Sequence, residues 1–368
     1  MNKPQFICSR CVMDRSAPSI FFNNDGICNY CIAHEQRVSQ TPFGRGDGQQ
    51  ELSQLVQALK RGARSEYDSV IGLSGGVDSS YLAYQAIKLG LRPLAVHFDN
   101  GWNSELAVKN IEHLVKRLGL DLVTYVIDWD EFRDLQRAYF KADVIDVEMV
   151  TDHAIFAAMY KIARSNGIST ILSGTNAATE SIMPEEWQHF KFDLVNLRGI
   201  HRVFGDRKLG RYPTVSVWKI AWYHYFGGVR SVSLLNYLPY NKTKAIKTLE
   251  DELGWRYYGG KHFESIFTKF YQAHILPVKF GVDKRRCHLS DLVMNGELTR
   301  DQALRELQLP LYGESELQQD LEYVSKKLGF TLEEMDEYLQ RPPVSHFKFP
   351  SYAKIARKFV SAHKKRGR

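Results

Sequence analysis

Residues 74–80 read Ser-Gly-Gly-Val-Asp-Ser-Ser, a set of residue types from which a phosphate-binding turn can be built. The apolar run 69–73 before them predicts a buried parallel strand, and the apolar spacing after them predicts a helix that ends near Gly90. The first N–H groups of a helix and its dipole attract anions, and glycines let the backbone approach a ligand closely. The sequence therefore predicts a phosphate site at this turn.

This turn lacks the lysine of a Walker loop and fits neither G-x-x-x-x-G-K-[ST] nor G-x-G-x-x-G. Without a lysine at the γ-phosphate, transfer of the γ-phosphoryl group is disfavoured, and serine hydroxyls with backbone amides can instead hold the β,γ-pyrophosphate as a unit. Asp78 cannot bind an anion directly, so we expect it to act through Mg²⁺. The alternative is a glycine-rich turn that only caps a helix.

Four of the five cysteines form the pattern C-x₂-C-x₁₆-C-x₂-C, namely Cys8, Cys11, Cys28 and Cys31. This spacing is typical of a four-thiolate zinc site, and Asn23-Asn24-Asp25-Gly26 between the pairs predicts the turn of a zinc ribbon. Four thiolates close the coordination sphere, so we expect the Zn²⁺ to be structural. Disulfides are the weaker interpretation for a reducing compartment.

Composition indicates an ordinary globular protein: 368 residues, 44% hydrophobic and 25% charged, with a net charge of +7 and a pI near 9.0. No apolar run approaches the ~18 residues of a membrane span, so we expect a protein that does not span the membrane and is cytoplasmic. Much of the positive charge lies in the last fifteen residues, 354–368. Such a tail is typical of a solvated helix, and contact with anionic lipid or an acidic partner is the alternative.

Strands and helices are predicted to alternate after the turn. The pattern predicts strands at 94–98, 122–127 and 170–172, and helices at 52–59, 105–118 and 155–163. Alternation of this kind indicates an α/β fold with a doubly wound parallel sheet, in which ligands bind at the carboxyl ends of the strands. Polar loops follow two of the strands, at 99–102 and 174–176, and could reach the same crevice as the glycine turn.

Three regions are predicted: a zinc ribbon at 1–45, an ATP-binding α/β domain at 46–215, and a helical C-terminal region at 216–368 that binds sugar or a partner. Aromatic and basic residues crowd the last region. Capping boxes predict helix starts there at Thr299…Gln302, Ser315…Gln318 and Thr331…Glu334.

The segment SGGVDS resembles the signature of the PP-loop ATP pyrophosphatases, which share an adenine nucleotide alpha hydrolase-like fold. The later blocks HFDNGWNSELAVKNIEHL, SGTNAATESIMP, WRYYGGKHFESIFTKFYQ and GVDKRRCHLSDLVMNGELTRDQAL resemble the N-acetyl sugar amidotransferases of lipopolysaccharide (O-antigen) biosynthesis. That resemblance implies conversion of an acetamido group on a nucleotide-activated sugar into an acetamidino group. It also implies an O-adenylyl intermediate and release of AMP and pyrophosphate.

The resemblance carries over a set of site residues. Those expected to bind ATP are Ser74, Gly75, Gly76, Asp78, Ser79, Ser80, Phe98, Asp99, Gly174 and Thr175. The residues expected to act in catalysis are Asp78, Lys261, Lys284 and Arg285. The three cations, with Arg286 as a further one, are expected to contact the phosphates of ATP or the diphosphate and carboxylate of the sugar. His262 and Glu264 are weaker candidates for acid–base or sugar contacts.

Ammonia must reach this reaction from elsewhere. Cys287 is the only cysteine outside the ribbon, and its surroundings do not resemble a glutaminase nucleophile elbow. We therefore expect a separate glutaminase subunit, and the family resemblance adds a barrel subunit like the cyclase of histidine biosynthesis.

Two other classes of protein remain to be weighed. A PP-loop enzyme that thiolates or modifies tRNA would share the ribbon and the turn. Sulfur relay usually needs additional reactive cysteines, however, and a charge of +7 is modest for a nucleic-acid binder, so no nucleic acid is expected. A non-enzymatic scaffold is disfavoured by the intact residues of the turn.

Overall fold

The computed structural model describes residues 6–63, 65–260 and 263–352. Within these ranges a single five-stranded sheet is present, with strand order β3-β2-β1-β4-β5. The strands are β1 (Ser69–Gly72), β2 (Pro93–Asp99), β3 (Leu122–Val126), β4 (Thr170–Ser173) and β5 (Arg230–Ser233). Every pairing is parallel, so the carboxyl ends of all five strands lie along one edge. This confirms the predicted parallel sheet.

Strand β1 lies at the centre, with Val70 in register with Leu94 of β2 on one side and with Ile171 of β4 on the other. Its apolar run is buried because helices cover both faces of the sheet, as parallel sheets require. The helices are α1 (Asn29–Gln40), α2 (Gly48–Gly62), α3 (Val77–Lys88), α4 (Glu105–Leu118), α5 (Trp129–Lys141), α6 (Met149–Ser165), α7 (Leu194–Phe204), α8 (Val217–Tyr225), α9 (Lys242–Leu253), α10 (Ile266–Phe270), α11 (Leu276–Phe280), α12 (Arg285–Met294), α13 (Arg300–Glu306), α14 (Glu314–Leu328) and α15 (Leu332–Gln340).

Two separate apolar clusters sandwich the sheet. On one face, Ile71 packs with Leu82 of α3 and with apolar residues of α2. On the other face, Val70 packs with Ile162 of α6 and with Met159 one turn earlier. Helices on both faces of a parallel sheet confirm the predicted doubly wound architecture.

Several predicted boundaries are confirmed. Helix α4 spans the predicted residues 105–118, and the predicted end of α3 is marked by Gly90 at φ +70°. The capping boxes at Thr299 and Thr331 are both formed. The one predicted at Ser315 is wrong, because α14 begins at Glu314 with Gly313 as its N-cap and has no side-chain cap.

The N-terminal segment packs against the C-terminal region. Val12 N–H donates to Ser290 Oγ at 3.2 Å, and Arg286 pairs with Asp14 at 3.0 Å. Arg300 Nε donates to the carbonyl oxygens of Cys8 and Cys11 at 3.0 and 3.1 Å. The segment therefore rests on α12 and α13. In the part of the chain that the structure describes, no helix is long and apolar enough to cross a membrane.

Candidate functional site

The glycine turn lies between β1 and α3, at the carboxyl edge of the sheet. Gly75 has φ +81°, and a Cβ added there would lie 2.7 Å from the carbonyl oxygen of Ala107. A residue with a side chain would be both strained and sterically blocked. The second glycine, Gly76, is the N-cap of α3.

Hydroxyl groups hold the turn in shape. Ser79 Oγ donates to the carbonyl of Gly76 at 3.1 Å and lies 3.2 Å from Ser74 Oγ. The Gly76 N–H donates to Ser74 Oγ at 3.2 Å. Ser74 is exposed, whereas Ser80 is fully buried beneath the turn. The loop thus presents Ser74 and its backbone towards a ligand.

Aromatic residues from 255–258 cover the turn. Trp255 Nε1 donates to the carbonyl of Gly75 at 2.9 Å, and the Val77 N–H donates to the hydroxyl of Tyr258 at 3.1 Å. Burial and the nearby carboxyl of Glu264 raise the pKa of Tyr258, which keeps its hydroxyl neutral. An oxygen acceptor therefore already sits at the N-terminus of α3, where an anion would bind.

Asp78 provides the acidic side chain in the first turn of α3. Its Oδ1 accepts a hydrogen bond from the hydroxyl of Tyr240, whose pKa is raised by burial and by this carboxylate. A Cβ added at Gly174 would lie 3.2 Å from the carbonyl carbon of Asp78, so the loop after β4 rests directly on this turn.

The loops after β2 and β4 complete the edge. Asp99 Oδ1 accepts from the Gly101 N–H at 2.9 Å and shapes its own loop, while the ring of Phe98 stacks on Tyr125 with centroids 5.5 Å apart. Thr175 Oγ1 lies 2.9 Å from the hydroxyl oxygens of both Ser173 and Ser233. The structure thus gathers the residues predicted to bind ATP at the ends of β1, β2 and β4.

A cavity of about 350 Å³ opens beside the turn. Ser74 and Phe98 line it from the sheet, and residues of the C-terminal region line it from the opposite side. Those C-terminal residues are Glu264, Ser265, Thr268, Gln272 and Lys284. Its floor is one face of α6 and the residue before that helix, with Glu148, Thr151, Asp152, Ile155 and Met159.

The floor carries an unusual set of charges. Lys191 Nζ lies 2.7 Å from Asp146 and 2.9 Å from Asp152. Burial lowers the pKa of Lys191, but these two carboxylates raise it by more, so its pKa lies above the usual value. Burial and the neighbouring Asp152 raise the pKa of Glu148 to about 8. Burial lowers the pKa of Lys284. Of this group, sequence reasoning named only Lys284.

The predicted cations fall in different surroundings. Lys284 lines the cavity. Arg285 is bonded to Asp283 at 2.8 Å and to the carbonyl of Leu309 at 2.8 Å, beside a neighbouring cavity of about 240 Å³ that Gln272 and Lys284 also line. Arg286 holds the N-terminal segment through Asp14. Lys261 and His262 lie outside the described residues, as does the basic tail from 354 onwards.

A larger cavity of about 820 Å³ lies next to the first and shares Gln188 and Lys191 with it. Two histidines of its wall, His189 and His346, stack with ring centroids 4.3 Å apart, and burial lowers the pKa of His346 to about 3. None of the residues predicted to bind ATP lines this space. The smaller cavity is therefore the better candidate for the chemistry.

The four N-terminal cysteines form one buried cluster. Their sulfur atoms lie within 4.8 Å of one another, with close separations of 3.6 to 3.8 Å. A tetrahedral ion with Zn–S bonds of about 2.3 Å requires sulfur separations of about 3.8 Å. Backbone N–H groups of Cys11 and Cys28 point at Cys8 Sγ, at 3.5 and 3.2 Å. The donor set fits a structural zinc ion, as the spacing predicted.

Comparison with known proteins identifies two parts of the chain. Residues 264–363 match the family described as LPS biosynthesis protein WbpG-like, C-terminal domain, and residues 52–178 match the asparagine synthase family. A stretch of 67 residues is 39% identical to tRNA(Ile)-lysidine synthase from Chlamydia pneumoniae, covering 18% of this chain and 21% of that protein. The match thus spans about a fifth of that relative's length. NMN synthetase from Francisella tularensis is similar over 35% of this chain and 55% of that one, with 24% identity and a TM-score of 0.27.

These matches fall on the two walls of the cavity. The asparagine synthase match contains the glycine turn and Phe98, and the WbpG-like match contains Glu264, Thr268 and Lys284. The predicted resemblance to PP-loop enzymes and to lipopolysaccharide biosynthesis proteins is thereby confirmed. Residues 52–178 are thus similar to the asparagine synthase family and residues 264–363 to the C-terminal domain of WbpG-like lipopolysaccharide biosynthesis proteins, with neither match covering half of the chain.

Proposed function

We propose that the chain is an ATP-dependent, AMP-forming N-acetyl sugar amidotransferase of lipopolysaccharide O-antigen biosynthesis. It converts an acetamido group of a nucleotide-activated sugar into an acetamidino group. The observation that carries this proposal is the shared cavity, in which the PP-loop side and the WbpG-like side face each other across about 350 Å³. A nucleotide held on one wall can thus react with a sugar held on the other.

The reaction needs activation because an amide oxygen is a poor leaving group. The acetamido oxygen attacks the α-phosphorus of ATP, the bond between this phosphorus and the α,β-bridging oxygen breaks, and pyrophosphate leaves. Ammonia then forms a C–N bond to the imidate carbon while the C–O bond to AMP breaks, so AMP carries away the former amide oxygen. Catalysis of this kind depends mainly on positioning and on charge stabilisation.

On this proposal the turn holds the leaving pyrophosphate. Its exposed Ser74 would be the first donor, and the N–H groups of Gly76 and Val77 would become donors by exchanging Ser74 Oγ and the Tyr258 hydroxyl for phosphate oxygens. Asp78 is the carboxylate that would hold Mg²⁺, which supplies positive charge next to the departing phosphates. Phe98 in β2 and Thr175, two residues after β4, would contact the adenosine part.

The opposite wall is suited to a sugar. Gln272 and Lys284 of this wall offer an amide and an ammonium group, and Asn100 after β2 and Gln188 add further amides to the cavity. Amides recognise hydroxyl and acetamido groups, and a lysine recognises the carboxylate or diphosphate of an activated sugar. Because ATP and nucleotide sugars are cytoplasmic compounds, we place the enzyme in the cytoplasm.

Transfer of labelled oxygen tests this proposal directly. The protein is incubated with ATP, Mg²⁺, ammonium and candidate nucleotide sugars whose acetamido oxygen carries a heavy isotope. We expect AMP that contains the heavy oxygen, unlabelled pyrophosphate, and a sugar in which NH replaces O. Formation of ADP and orthophosphate, or AMP without the label, would contradict the mechanism.

A tRNA-modifying enzyme is the second candidate, favoured by the 67-residue similarity to tRNA(Ile)-lysidine synthase. The two candidates differ in what stimulates pyrophosphate release from ATP. We expect stimulation by an N-acetylated nucleotide sugar and none by bulk tRNA. The opposite result, together with tRNA binding that weakens steeply with salt, would favour the second candidate.

A further inference from the structure

Four charged side chains line the shared cavity near α6, namely Glu148, Asp152, Lys191 and Lys284, and the buried Asp146 pairs with Lys191 behind them. Asp146, Glu148 and Asp152 carry carboxyl groups, and Lys191 and Lys284 carry amines. Lys191 is paired with Asp146 and Asp152 at 2.7 and 2.9 Å. When all five are ionised, the carboxylates outnumber the ammonium groups by one. The ionised cluster then has a net charge of −1, and Glu264 adds a further carboxyl group to the same cavity.

Two hydroxyl groups lie beside these charges. The Thr268 hydroxyl donates to Glu148 Oε1 at 3.1 Å. Thr151 is 9% exposed, lines the cavity, and has a hydroxyl oxygen with no hydrogen-bond partner in the described parts of the chain. A buried hydroxyl without a partner costs free energy, so its presence indicates a ligand that bonds to it.

We propose that this floor binds the nitrogen donor as an ammonium ion and that Glu148 accepts a proton from it. The inference rests on the proposed amidotransferase reaction and deepens it. Thr151 Oγ1, Glu148 and Asp152 lie on one face at the start of α6 and offer acceptors to the N–H groups of a small cation.

The proton transfer balances. One N–H bond of ammonium breaks and its proton adds to a carboxylate oxygen of Glu148. The lone pair of the resulting ammonia forms the C–N bond to the imidate carbon, and the C–O bond to AMP breaks. Glu148 returns its proton to solvent after the product leaves.

The surroundings of Glu148 suit this role. Burial, Asp152 and Asp146 raise its pKa to about 8, against the opposing effects of Lys284 and Lys191. Glu264 is the other carboxyl of the cavity and lies on the turn side, with Oε1 3.1 Å from a Cβ placed on Gly76. A carboxylate of raised pKa is a stronger base, and the raised value reduces the difference between the pKa of Glu148 and the pKa of an ammonium ion.

The experiment separates adenylation from the attack by nitrogen. Adenylation is followed as sugar-dependent exchange of labelled pyrophosphate into ATP, and the second step as amidine formation with ammonium or with hydroxylamine, which is uncharged near neutral pH. In Glu148→Gln we expect exchange within about twofold of wild type, kcat/KM for ammonium lowered about a hundredfold, and most of the hydroxylamine reaction retained. Glu112→Gln, an exposed glutamate of α4, is the matched control.

Thr268→Val provides a second test that keeps the carboxyl group. Loss of the hydrogen bond to the carboxylate raises the pKa of Glu148, so the rise of the ammonium rate with pH should move to higher pH. An unshifted profile would contradict the inference. So would an equal loss with both nucleophiles, or loss of exchange, in Glu148→Gln. If wild type shows no sugar-dependent exchange, the proposed function itself fails and the inference fails with it.

Discussion

Asp78 lies in the first turn of α3, the helix that follows the glycine turn. A carboxylate here repels a phosphate unless a cation lies between them. Its Oδ1 is held by the hydroxyl of Tyr240, so its orientation is fixed before a ligand arrives. On the proposed function, this carboxylate would hold Mg²⁺ beside the phosphates.

Replacing Asp78 by Asn should lower sugar-dependent pyrophosphate release at least about a hundredfold, because an amide keeps the shape but is a poor Mg²⁺ ligand. Release is measured with saturating ATP over a range of Mg²⁺ concentrations. Tyr240→Phe is the matched control, since it removes only the hydrogen bond to Asp78 and should cost much less. Undiminished activity in Asp78→Asn would refute the assigned role.

The raised pKa of Glu148 should affect the pH dependence of the free energy of unfolding as well as the reaction rate. The folded protein raises the pKa of this carboxyl from 4.5 to about 8, so between these values the folded state binds more protons than the unfolded state. Stability attributable to Glu148 is therefore greatest at low pH and is lost as pH rises through that window. Because one unit corresponds to about 1.4 kcal/mol, the loss is at most about 5 kcal/mol.

Glu148→Gln removes this dependence. Relative to wild type, the variant should gain stability as pH rises from about 5 to about 9 and change little beyond that. Urea unfolding at the two pH values measures the difference, and Glu112→Gln should show none. If the difference in unfolding free energy between variant and wild type stays constant with pH, the pKa of this carboxyl is not raised on folding.

The glycine turn could be predicted from contiguous residues, and the cavity floor could not. Ser74 to Ser80 form a contiguous motif, whereas Glu148, Lys191 and Thr268 are far apart in sequence and meet only after folding. One signal was available: Glu148 and Asp152 are four residues apart and so share a helical face. The apolar spacing predicts a helix that begins only at residue 155, which leaves both residues outside the predicted helix.

At the scale of elements, predictions held where apolar spacing was strong. Helix α4 has a serine N-cap and a left-handed glycine at its end, and its bounds were predicted correctly. Strand β5 was not predicted, because Arg-Ser-Val-Ser lacks an apolar run and lies at the edge of the sheet. Its place beside β4 is decided by tertiary pairing rather than by its own sequence.

The cysteine cluster positions an element of the site. It rests on α12, whose N-cap is Lys284 in the cavity wall. His34 of α1 also contacts this helix, through Asp291 at 3.1 Å. A zinc ion would therefore fix the cluster, the cluster would support α12, and the helix would hold Lys284.

Cys11→Ser should lower the zinc content of the protein and its melting temperature, because a structural zinc site contributes folding free energy. Zinc is measured by atomic spectroscopy on the purified protein. Cys287→Ser is the matched control, since Cys287 is equally buried but lies outside the cluster, and it should keep its zinc. Full zinc content in Cys11→Ser would show that the four thiolates are not the ligand set.

At the scale of the whole molecule, the two matched regions are interdependent. The region matched at 52–178 contains the glycine turn, the region matched at 264–363 lines the opposite side of the cavity, and Trp255 and Tyr258, between the two regions, cover the turn. Neither region encloses the cavity alone. We therefore expect the reaction to require the chain as a unit, whatever the position of the domain boundaries at 45 and 215.

The last prediction concerns the source of ammonia, which we expect a separate glutaminase to supply. Cys287 is fully buried and the other four cysteines form the metal cluster, so no thiol in the described part of the chain is placed to attack glutamine. The purified protein should therefore make amidine with ammonium and not with glutamine. Adding the partner glutaminase should make glutamine a substrate, whereas a glutaminase inactivated at its nucleophile should not. Efficient use of glutamine by the chain alone would mean that it contains its own glutaminase site, and the proposed partner would then be unnecessary.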